Sequence, residues 1–238
     1  MSDEFPGRYA LYWAPQEGSD LARLGGAWLG LGEGSNDPGP PPAIPGFDAS
    51  RIHLLTAEPR RYGLHATLKP PFALADGTDL AALRQALAAF AAARACMTLP
   101  ALEVTLLDRF IALTPSAPAP ALDTLAADCV TRFDRFRAAP RPAELTRRRS
   151  AGLSPTEEAH LLRWGYPYVL DRFRFHVTLT GPLDLAEAQR LMPPLIRLFE
   201  PVTRAPFALA DIALFHEPAP GAAFRLVERF ALQPPSLP

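Results

Sequence analysis

The sequence predicts an α+β protein built from a duplicated unit, and two short repeats carry this prediction. One copy runs from Tyr62 to Lys69 as YGLHATLK, and the other runs from Phe173 to Thr180 as FRFHVTLT. Each copy alternates apolar and polar residues around a shared His-x-Thr-Leu, which is typical of a strand with one buried face. A helix and further strands are expected after each copy. We therefore expect two β-α-β-β units, related by a pseudo-twofold axis, that meet at a central cleft.

The domain organisation follows from this duplication. We expect a single bilobal domain over residues 1–238, with its two repeat halves at about 60–136 and 163–238. A chain of this length can bury about 70% of the surface of its unfolded state. The alternating, aromatic-rich segment at residues 8–14 (RYALYWA) predicts a strand that joins one of the sheets.

The first half is expected to follow its motif in a regular order. Pro70-Pro71 is expected to end the motif strand, because proline cannot donate a ladder hydrogen bond. Side-chain periodicity and composition then predict a helix over 79–95, strands near 99–107 and 109–114, and a helix over 120–136.

The second half is expected to repeat that order. Before its motif, Ser154-Pro155-Thr156-Glu157 forms a capping box that opens a helix ending near Trp164. Gly181-Pro182 is expected to end the motif strand. The sequence then predicts a helix from Asp184 to about Glu200, broken or kinked at Pro193-Pro194, and strands at 206–216 and 222–232.

Shorter features connect these halves to the N-terminal strand. Ser19 or Asp20 can cap one short helix, and Asp48 can cap another that runs to about Glu58. Residues 32–46 are rich in Gly and Pro and predict a loop, and whether this loop closes as a lid is left open.

Composition excludes some functions and permits others. The net charge of −1 argues against a general grip on nucleic acid but allows a small phosphorylated ligand in a local positive pocket. Cys96 and Cys129 have no metal-ligand spacing and are expected to be reduced thiols. The sequence shows neither a charged leader nor a run of about 18 apolar residues, so we expect a soluble, cytoplasmic protein without a membrane partner.

The polar face of each predicted strand carries a histidine close to a threonine, His65 with Thr67 and His176 with Thr178. Histidine exchanges protons near neutral pH, so two of them in one cleft supply a general acid and a general base. The threonine hydroxyls can donate to phosphate oxygens. This set suits in-line hydrolysis of a cyclic phosphodiester, and the motifs call for no metal or other cofactor.

Further side chains are expected around this pair. Lys69 and Arg174 share the polar faces and are expected to stabilise charge in the transition state. Tyr62 and Tyr168, together with Arg61, are candidate walls of the substrate pocket. Neither histidine has a second metal ligand at the adjacent position of its face, so the motifs do not predict a metal site.

An arginine cluster at residues 132–149 has two interpretations. It is either a phosphate or RNA patch, or the solvated face of a helix. Its seven arginines are Arg132, Arg135, Arg137, Arg141, Arg147, Arg148 and Arg149.

The paired motifs resemble the signature of the two-histidine (2H) phosphoesterase superfamily, which repeats His-hydrophobic-Thr/Ser-hydrophobic. The segments RRYGLHATLKPPF (60–72) and RWGYPYVLDRFRFHVTLTGPL (163–183) are similar to its branch associated with bacterial phosphonate-utilisation genes. The resemblance implies the bilobal fold of RNA 2′,3′-cyclic phosphodiesterases. It also implies His65 and His176 as the catalytic pair and Thr67 and Thr178 as phosphate binders.

Three functions are therefore open. We expect a metal-independent phosphoesterase that hydrolyses a cyclic phosphodiester of a ribose-like small molecule, in phosphonate metabolism. The alternatives are an enzyme that processes RNA ends bearing 2′,3′-cyclic phosphates, and a non-catalytic protein that binds phosphoesters. The expected partner is a small phosphorylated substrate, with an RNA end less favoured. The oligomeric state, and which histidine is the base, are left open.

Overall fold

The computed structural model describes residues 7–31, 41–150 and 152–234, and every statement about the fold refers to these residues. Most of the Gly- and Pro-rich segment 32–46 lies outside the described residues. The open question of a lid falls on this same segment.

The N-terminal part contains the expected strand and short helices. Ser19 caps the first helix through its side chain, which accepts a hydrogen bond from the Ala22 N–H, and Asp48 caps the second in the same way through the Arg51 N–H. The elements are β1 (Arg8–Trp13), α1 (Asp20–Leu29), α2 (Ala49–Leu55) and α3 (Ala57–Arg60).

Each motif begins a similar series of elements. The first series is β2 (Ala66–Phe72), α4 (Leu80–Ala92), β3 (Met97–Leu99), β4 (Leu102–Leu107), β5 (Phe110–Pro115) and α5 (Pro120–Arg132), and a 3₁₀ turn at Asp134–Phe136 follows it. The second is β6 (Val177–Thr178), α8 (Leu185–Thr203), β7 (Phe207–Leu209), β8 (Asp211–Glu217) and β9 (Arg225–Ala231).

Two helices lie between the series, α6 (Pro142–Arg149) and α7 (Pro155–Trp164). The predicted capping box opens α7, with both reciprocal hydrogen bonds between Ser154 and Glu157 present. Gly165 ends α7 in a left-handed conformation that suits glycine. No helix in the described part of the chain is long and apolar enough to cross a bilayer.

The sheets join the two series to each other. The strand orders are β2-β1-β8-β9 in one sheet and β4-β5-β6 in another, and β3 pairs separately with β7. Each motif strand therefore lies in a sheet with the final hairpin of the other series. Every pairing between these strands is antiparallel. The α+β class is confirmed, whereas the pseudo-twofold relation and the half boundaries at 60–136 and 163–238 remain predictions.

Three expectations about element boundaries are wrong. Pro70-Pro71 does not end β2, which continues to Phe72, because β2 is at the edge of its sheet, where a missing N–H is tolerated. The second motif strand is reduced to Val177–Thr178, beside β5. Pro193 and Pro194 do not break α8 but lie inside it, where buried side chains on both sides of them hold the helix against the core, and a kink at these prolines stays a prediction.

The apolar faces of both motifs form core, as predicted. They belong to one hydrophobic cluster between the sheets and the helices, to which α8 contributes Leu191, Leu195 and Phe199. At most 9% of each motif side chain is exposed, and the residues are Leu64, Ala66, Leu68, Phe175, Val177 and Leu179.

Trp28 fixes the backbone of the second motif directly after β6. Its fully buried indole donates from Nε1 to the carbonyl oxygen of Leu179 at 2.8 Å. Trp28→Phe keeps much of the apolar contact but removes the donor that this buried carbonyl faces. We expect the free energy of unfolding to fall by about 1–3 kcal/mol in chemical denaturation. Trp164→Phe, at a partly exposed position on α7, is the control, and an equal loss in both variants would contradict this role of Trp28.

Candidate functional site

A cleft of about 960 Å³ brings the two motifs together. Its walls contain His65 and Thr67 from the first motif, and His176 and Thr178 from the second. Each histidine immediately precedes a motif strand, and each threonine lies within that strand. The cleft volume is in the range of sites that enclose small molecules. The four residues that the motifs single out thus share one cavity.

Both histidines are oriented in the same way. His65 Nδ1 lies 2.9 Å from the carbonyl oxygen of Gly63, and His176 Nδ1 lies 2.7 Å from that of Arg174. A carbonyl oxygen only accepts, so each Nδ1 carries the proton of a neutral imidazole. Each Nε2 then has a lone pair available as a base, or can carry a second proton as an acid. Gly63 makes its turn with φ +72°, a left-handed conformation that suits glycine.

Aromatic rings surround His65. Its ring centroid lies 4.1 Å from that of Tyr12 and 5.6 Å from that of Tyr62. Burial lowers the pKa of His65 to about 4, although its hydrogen bond to the Gly63 carbonyl acts in the opposite direction. The charge of a protonated His176 is a smaller contribution to this lowered pKa. His65 is therefore neutral at neutral pH.

His176 has a related environment. Its ring lies 5.6 Å from that of Phe110. Burial lowers the pKa of His176, the hydrogen bond to the Arg174 carbonyl raises it, and the charge of the Arg174 guanidinium lowers it. Both histidines of the pair thus favour the neutral form when no anion is bound between them.

The placement expected for Lys69 is wrong. Alternation along the strand put it on the polar face with His65 and Thr67, but Lys69 is 1% exposed and does not line the cleft. Its ammonium donates to the Val130 carbonyl at 3.1 Å and lies 3.7 Å from Asp134. The pairing of β1 with β2 shifts register twice along this stretch, so simple alternation fails there.

Burial strongly shifts the pKa of Lys69, the one lysine in the sequence. It lowers the pKa of Lys69 to about 8, against the opposing charge of Asp134. The next polar-face residue of the second copy, Thr180, is also fully buried and accepts a hydrogen bond from the Ile111 N–H. From the predicted polar face of each copy, only the histidine and the threonine line the cleft.

Two other expected pocket residues lie outside the cleft walls. Arg174 is exposed and acts on His176 through its carbonyl oxygen and its charge. Tyr168 is 43% exposed and packs edge-on against Tyr166, which takes the expected place in the wall. Tyr62 does line the cleft, as expected.

The sequence did not single out several residues that shape the cleft. Tyr12 packs on His65, although its alternating segment indicated only a strand. Arg8 contacts the fully buried carboxylate of Glu217 at 2.6 Å, and the same carboxylate lies 3.1 Å from Arg61, which does line the cleft as expected. A buried acid near the end of a strand could have indicated such a pair, but its partners are distant in the sequence.

Different members of the arginine cluster fit the two interpretations of its role. Arg149 is exposed and bonds to Glu158, as a solvated helix face requires. The members that line the cleft are Arg137, Arg141, Arg147 and Arg148.

Across the described part of the chain, no group of three or more His, Cys, Asp or Glu residues could hold a metal ion.

Two curated proteins are similar to nearly the whole chain. One, from Janthinobacterium sp. (strain Marseille), is named ribose 1,5-bisphosphate phosphokinase PhnN and is 40% identical over 94% of this chain and 50% of its own length. The other, from Laribacter hongkongensis (strain HLHK9), has the same name and is 38% identical over 92% of this chain and 50% of its own. The chain thus spans about half the length of these relatives.

A crystal structure of E. coli LigT complexed with 3′-AMP aligns with 96% of this chain and 99% of its own, at 16% identity and a TM-score of 0.43. This alignment is too loose to assign a function. The family model described as "Protein of unknown function (DUF1045)" matches residues 67–225. This match and the PhnN relatives fit the resemblance to the phosphonate-associated branch. The chain therefore belongs to the DUF1045 family.

Proposed function

We propose that this protein is a two-histidine phosphoesterase that opens a cyclic phosphodiester of a ribose-like small molecule without a metal ion. The observation that carries the proposal is the shared orientation of His65 and His176 in one cleft. Each Nδ1 is held by a backbone carbonyl, so each Nε2 can exchange a proton with the substrate. A site that only binds phosphate needs donors, and it does not need such a pair.

The proposed reaction is an in-line displacement at phosphorus. One histidine takes a proton from a water molecule, whose oxygen forms a new bond to phosphorus. The bond from phosphorus to one ring ester oxygen breaks, and the other histidine protonates that oxygen. The product is a phosphomonoester beside a free hydroxyl. Thr67 and Thr178 donate hydrogen bonds to the non-bridging oxygens, where negative charge accumulates.

The environment of the pair favours His65 as the base. Its pKa of about 4 keeps it unprotonated at neutral pH, as a base must be. His176 is then the acid. The negative charge of a bound substrate raises the pKa of the imidazole that it contacts, so a phosphate ester helps His176 to hold the proton that it donates.

The relatives favour a phosphorylated ribose as the substrate. Their name refers to ribose 1,5-bisphosphate, and this chain aligns with half of each. The chain has no Gly-x-x-x-x-Gly-Lys-Ser/Thr loop for a nucleotide phosphate, so we do not propose the phosphokinase activity for it. Opening a cyclic phosphate of ribose accounts for both the relationship and the histidine pair.

A second candidate function is the processing of RNA ends that bear a 2′,3′-cyclic phosphate. The observation in its favour is the arginine-rich wall of the cleft, to which Arg137 and Arg148 contribute. The net charge of −1 disfavours a long RNA, because general affinity for nucleic acid requires a cationic excess. We therefore rank a short RNA end below a small sugar phosphate.

Turnover of a panel of cyclic phosphates tests the proposal. The panel contains ribose 1,2-cyclic phosphates, nucleoside 2′,3′-cyclic phosphates and a short RNA with a cyclic end, all incubated with EDTA. We expect the wild type to convert a ribose cyclic phosphate to a phosphomonoester, followed by ³¹P NMR, and a His65→Ala/His176→Ala double variant to show no conversion. Binding of these compounds by the wild type without turnover would leave a phosphoester-binding protein, and preference for the RNA would favour the second candidate.

A further inference from the structure

Positive charge is concentrated in the cleft. The chain as a whole has a net charge of −1. Among the described residues, the cleft walls hold six arginines against three carboxylates. The two threonines and two histidines of the motifs already suffice for one phosphate. Glu217 pairs with both Arg8 and Arg61, and Asp134 pairs with Arg137, so these carboxylates balance only part of the positive charge. The six arginines are Arg8, Arg61, Arg137, Arg141, Arg147 and Arg148.

Two of these arginines keep a buried donor that no acceptor meets. Among the described residues, the Nε atoms of Arg61 and Arg148 are the buried side-chain nitrogens or oxygens without a hydrogen-bond partner. Buried N–H groups are rarely left in this state, because losing water without a replacement is unfavourable. Arg137 shows the contrast, since its Nε donates to Asp134 Oδ1 at 2.8 Å. An anion in the cleft would satisfy the donors of Arg61 and Arg148.

Tyrosine rings hold these two guanidinium groups beside the catalytic pair. Arg61 lies over the ring of Tyr62 at 5.2 Å, and Arg148 lies over the ring of Tyr166 at 4.5 Å. Tyr62 in turn packs on His65. The two arginines therefore line the same cleft as the histidine pair, and Arg61 reaches it beside a ring that contacts His65.

We propose that Arg61 and Arg148 bind a second phosphate of the substrate, a phosphomonoester separate from the cyclic phosphate that reacts. This inference rests on the proposed function and narrows its substrate to a ribose cyclic phosphate that also carries a phosphomonoester. Guanidinium groups suit such a dianion because they bind phosphate oxygens in a bidentate manner and keep their charge. The cleft volume of about 960 Å³ suits a small bisphosphorylated sugar.

Kinetics with a matched pair of substrates tests the second phosphate. The pair is a ribose 1,2-cyclic phosphate with and without a 5-phosphate. We expect the wild type to prefer the 5-phosphorylated compound in kcat/KM by about tenfold or more, the usual scale for a charged hydrogen-bonded pair. Arg61→Gln and Arg148→Gln are expected to lower kcat/KM about tenfold or more for that compound and to change it little for the other. Arg149→Gln, a neighbour on α6 that bonds to Glu158 outside the cleft walls, is the control and is expected to keep the preference.

The outcomes separate this inference from the proposed function. Equal kcat/KM for the two compounds, or an equal loss for both in Arg148→Gln, would overturn the second phosphate site and leave the phosphoesterase intact. Faster turnover of a dinucleotide with a cyclic end would overturn it in favour of RNA. If neither compound is opened, calorimetry with the intact 5-phosphorylated compound and the wild type still decides the site. Affinity that falls about tenfold in Arg148→Gln supports it, and unchanged affinity overturns it.

Discussion

Replacing either His65 or His176 by alanine is expected to lower kcat on a cyclic phosphodiester by about 10²–10⁴-fold, the usual contribution of one general acid or base. Each imidazole is the sole partner of the other in the proposed proton transfers, so neither can be lost without losing half of the reaction. Initial rates measured by ³¹P NMR or by a coupled phosphatase assay check this. His53→Ala is the matched control, because His53 is exposed on α2 and does not line the cleft.

The double variant sharpens this expectation. Because the two histidines act as a unit, removing both is expected to cost about as much as removing the more important one. Circular dichroism of each variant shows whether the fold is retained. Wild-type rates in either single variant would contradict the two-histidine mechanism, and so would losses that multiply fully in the double variant.

The pH profile of kcat/KM distinguishes the two roles, because it reports the pKa values of the free enzyme. A base works only when unprotonated, so activity is expected to fall as the pH decreases through the pKa of His65, about 4. An acid works only when protonated, so activity is expected to fall as the pH rises through the pKa of His176, which burial lowers below its usual 6.5. The optimum of kcat/KM is therefore expected to be acidic. An optimum above neutrality would reverse or exclude these roles.

Local pattern was sufficient to predict the centre of the site. Alternation around each His-x-Thr placed the apolar faces in the core, and Leu64 and Val177 are indeed buried. The duplication placed the two histidines in one cleft, and His65 and His176 do line the same cavity. The first prediction succeeds because it depends on only a few consecutive residues, and the second succeeds because the repeat itself relates two distant segments.

The outer part of the site could not be predicted in the same way. Alternation assigns a side to Lys69 only while β2 stays in register, and two register shifts against β1 turn that side chain under α5. Arg174 lies just before a strand of only two residues, where the pattern of faces no longer applies. The contacts of Tyr12 with His65 and of Arg61 with Glu217 join distant segments, so no local pattern contains them.

The strand pairing was beyond local pattern for a related reason. The sequence suggested two halves, each with its own sheet. In the structure β2 shares a sheet with β8 and β9, whereas β6 pairs with β5. Composition and alternation show that a strand has one buried face, but they do not show which strand lies beside it. Through this exchange of strands each motif strand lies in a sheet with the final hairpin of the other series, and both motifs line one cleft.

This exchange of strands between the two series also makes one buried carboxylate important for stability. Glu217 is fully buried at the end of β8, where it accepts from Arg8 Nε at 2.6 Å, Arg61 Nη2 at 3.1 Å and the Gly221 N–H at 3.1 Å. Arg8 belongs to β1, and Arg61 precedes the first motif. One side chain thus ties both N-terminal segments to the second series of elements.

Glu217→Ala is expected to lower the free energy of unfolding by about 3–5 kcal/mol, because it leaves two partly buried guanidinium groups without their partner. Glu217→Gln keeps an acceptor and most of the volume, so its loss is expected to be smaller. Denaturant titrations measure both changes. Glu200→Ala, which removes an exposed pair with Arg204 on α8, is the control and is expected to change stability little. If Glu217→Ala is no more destabilising than Glu200→Ala, the carboxylate does not tie the N-terminal segments to β8. If Glu217→Ala is the more destabilising variant, we also expect it to raise KM for the phosphorylated substrate, because the ion pair with Glu217 holds Arg61 in the cleft wall.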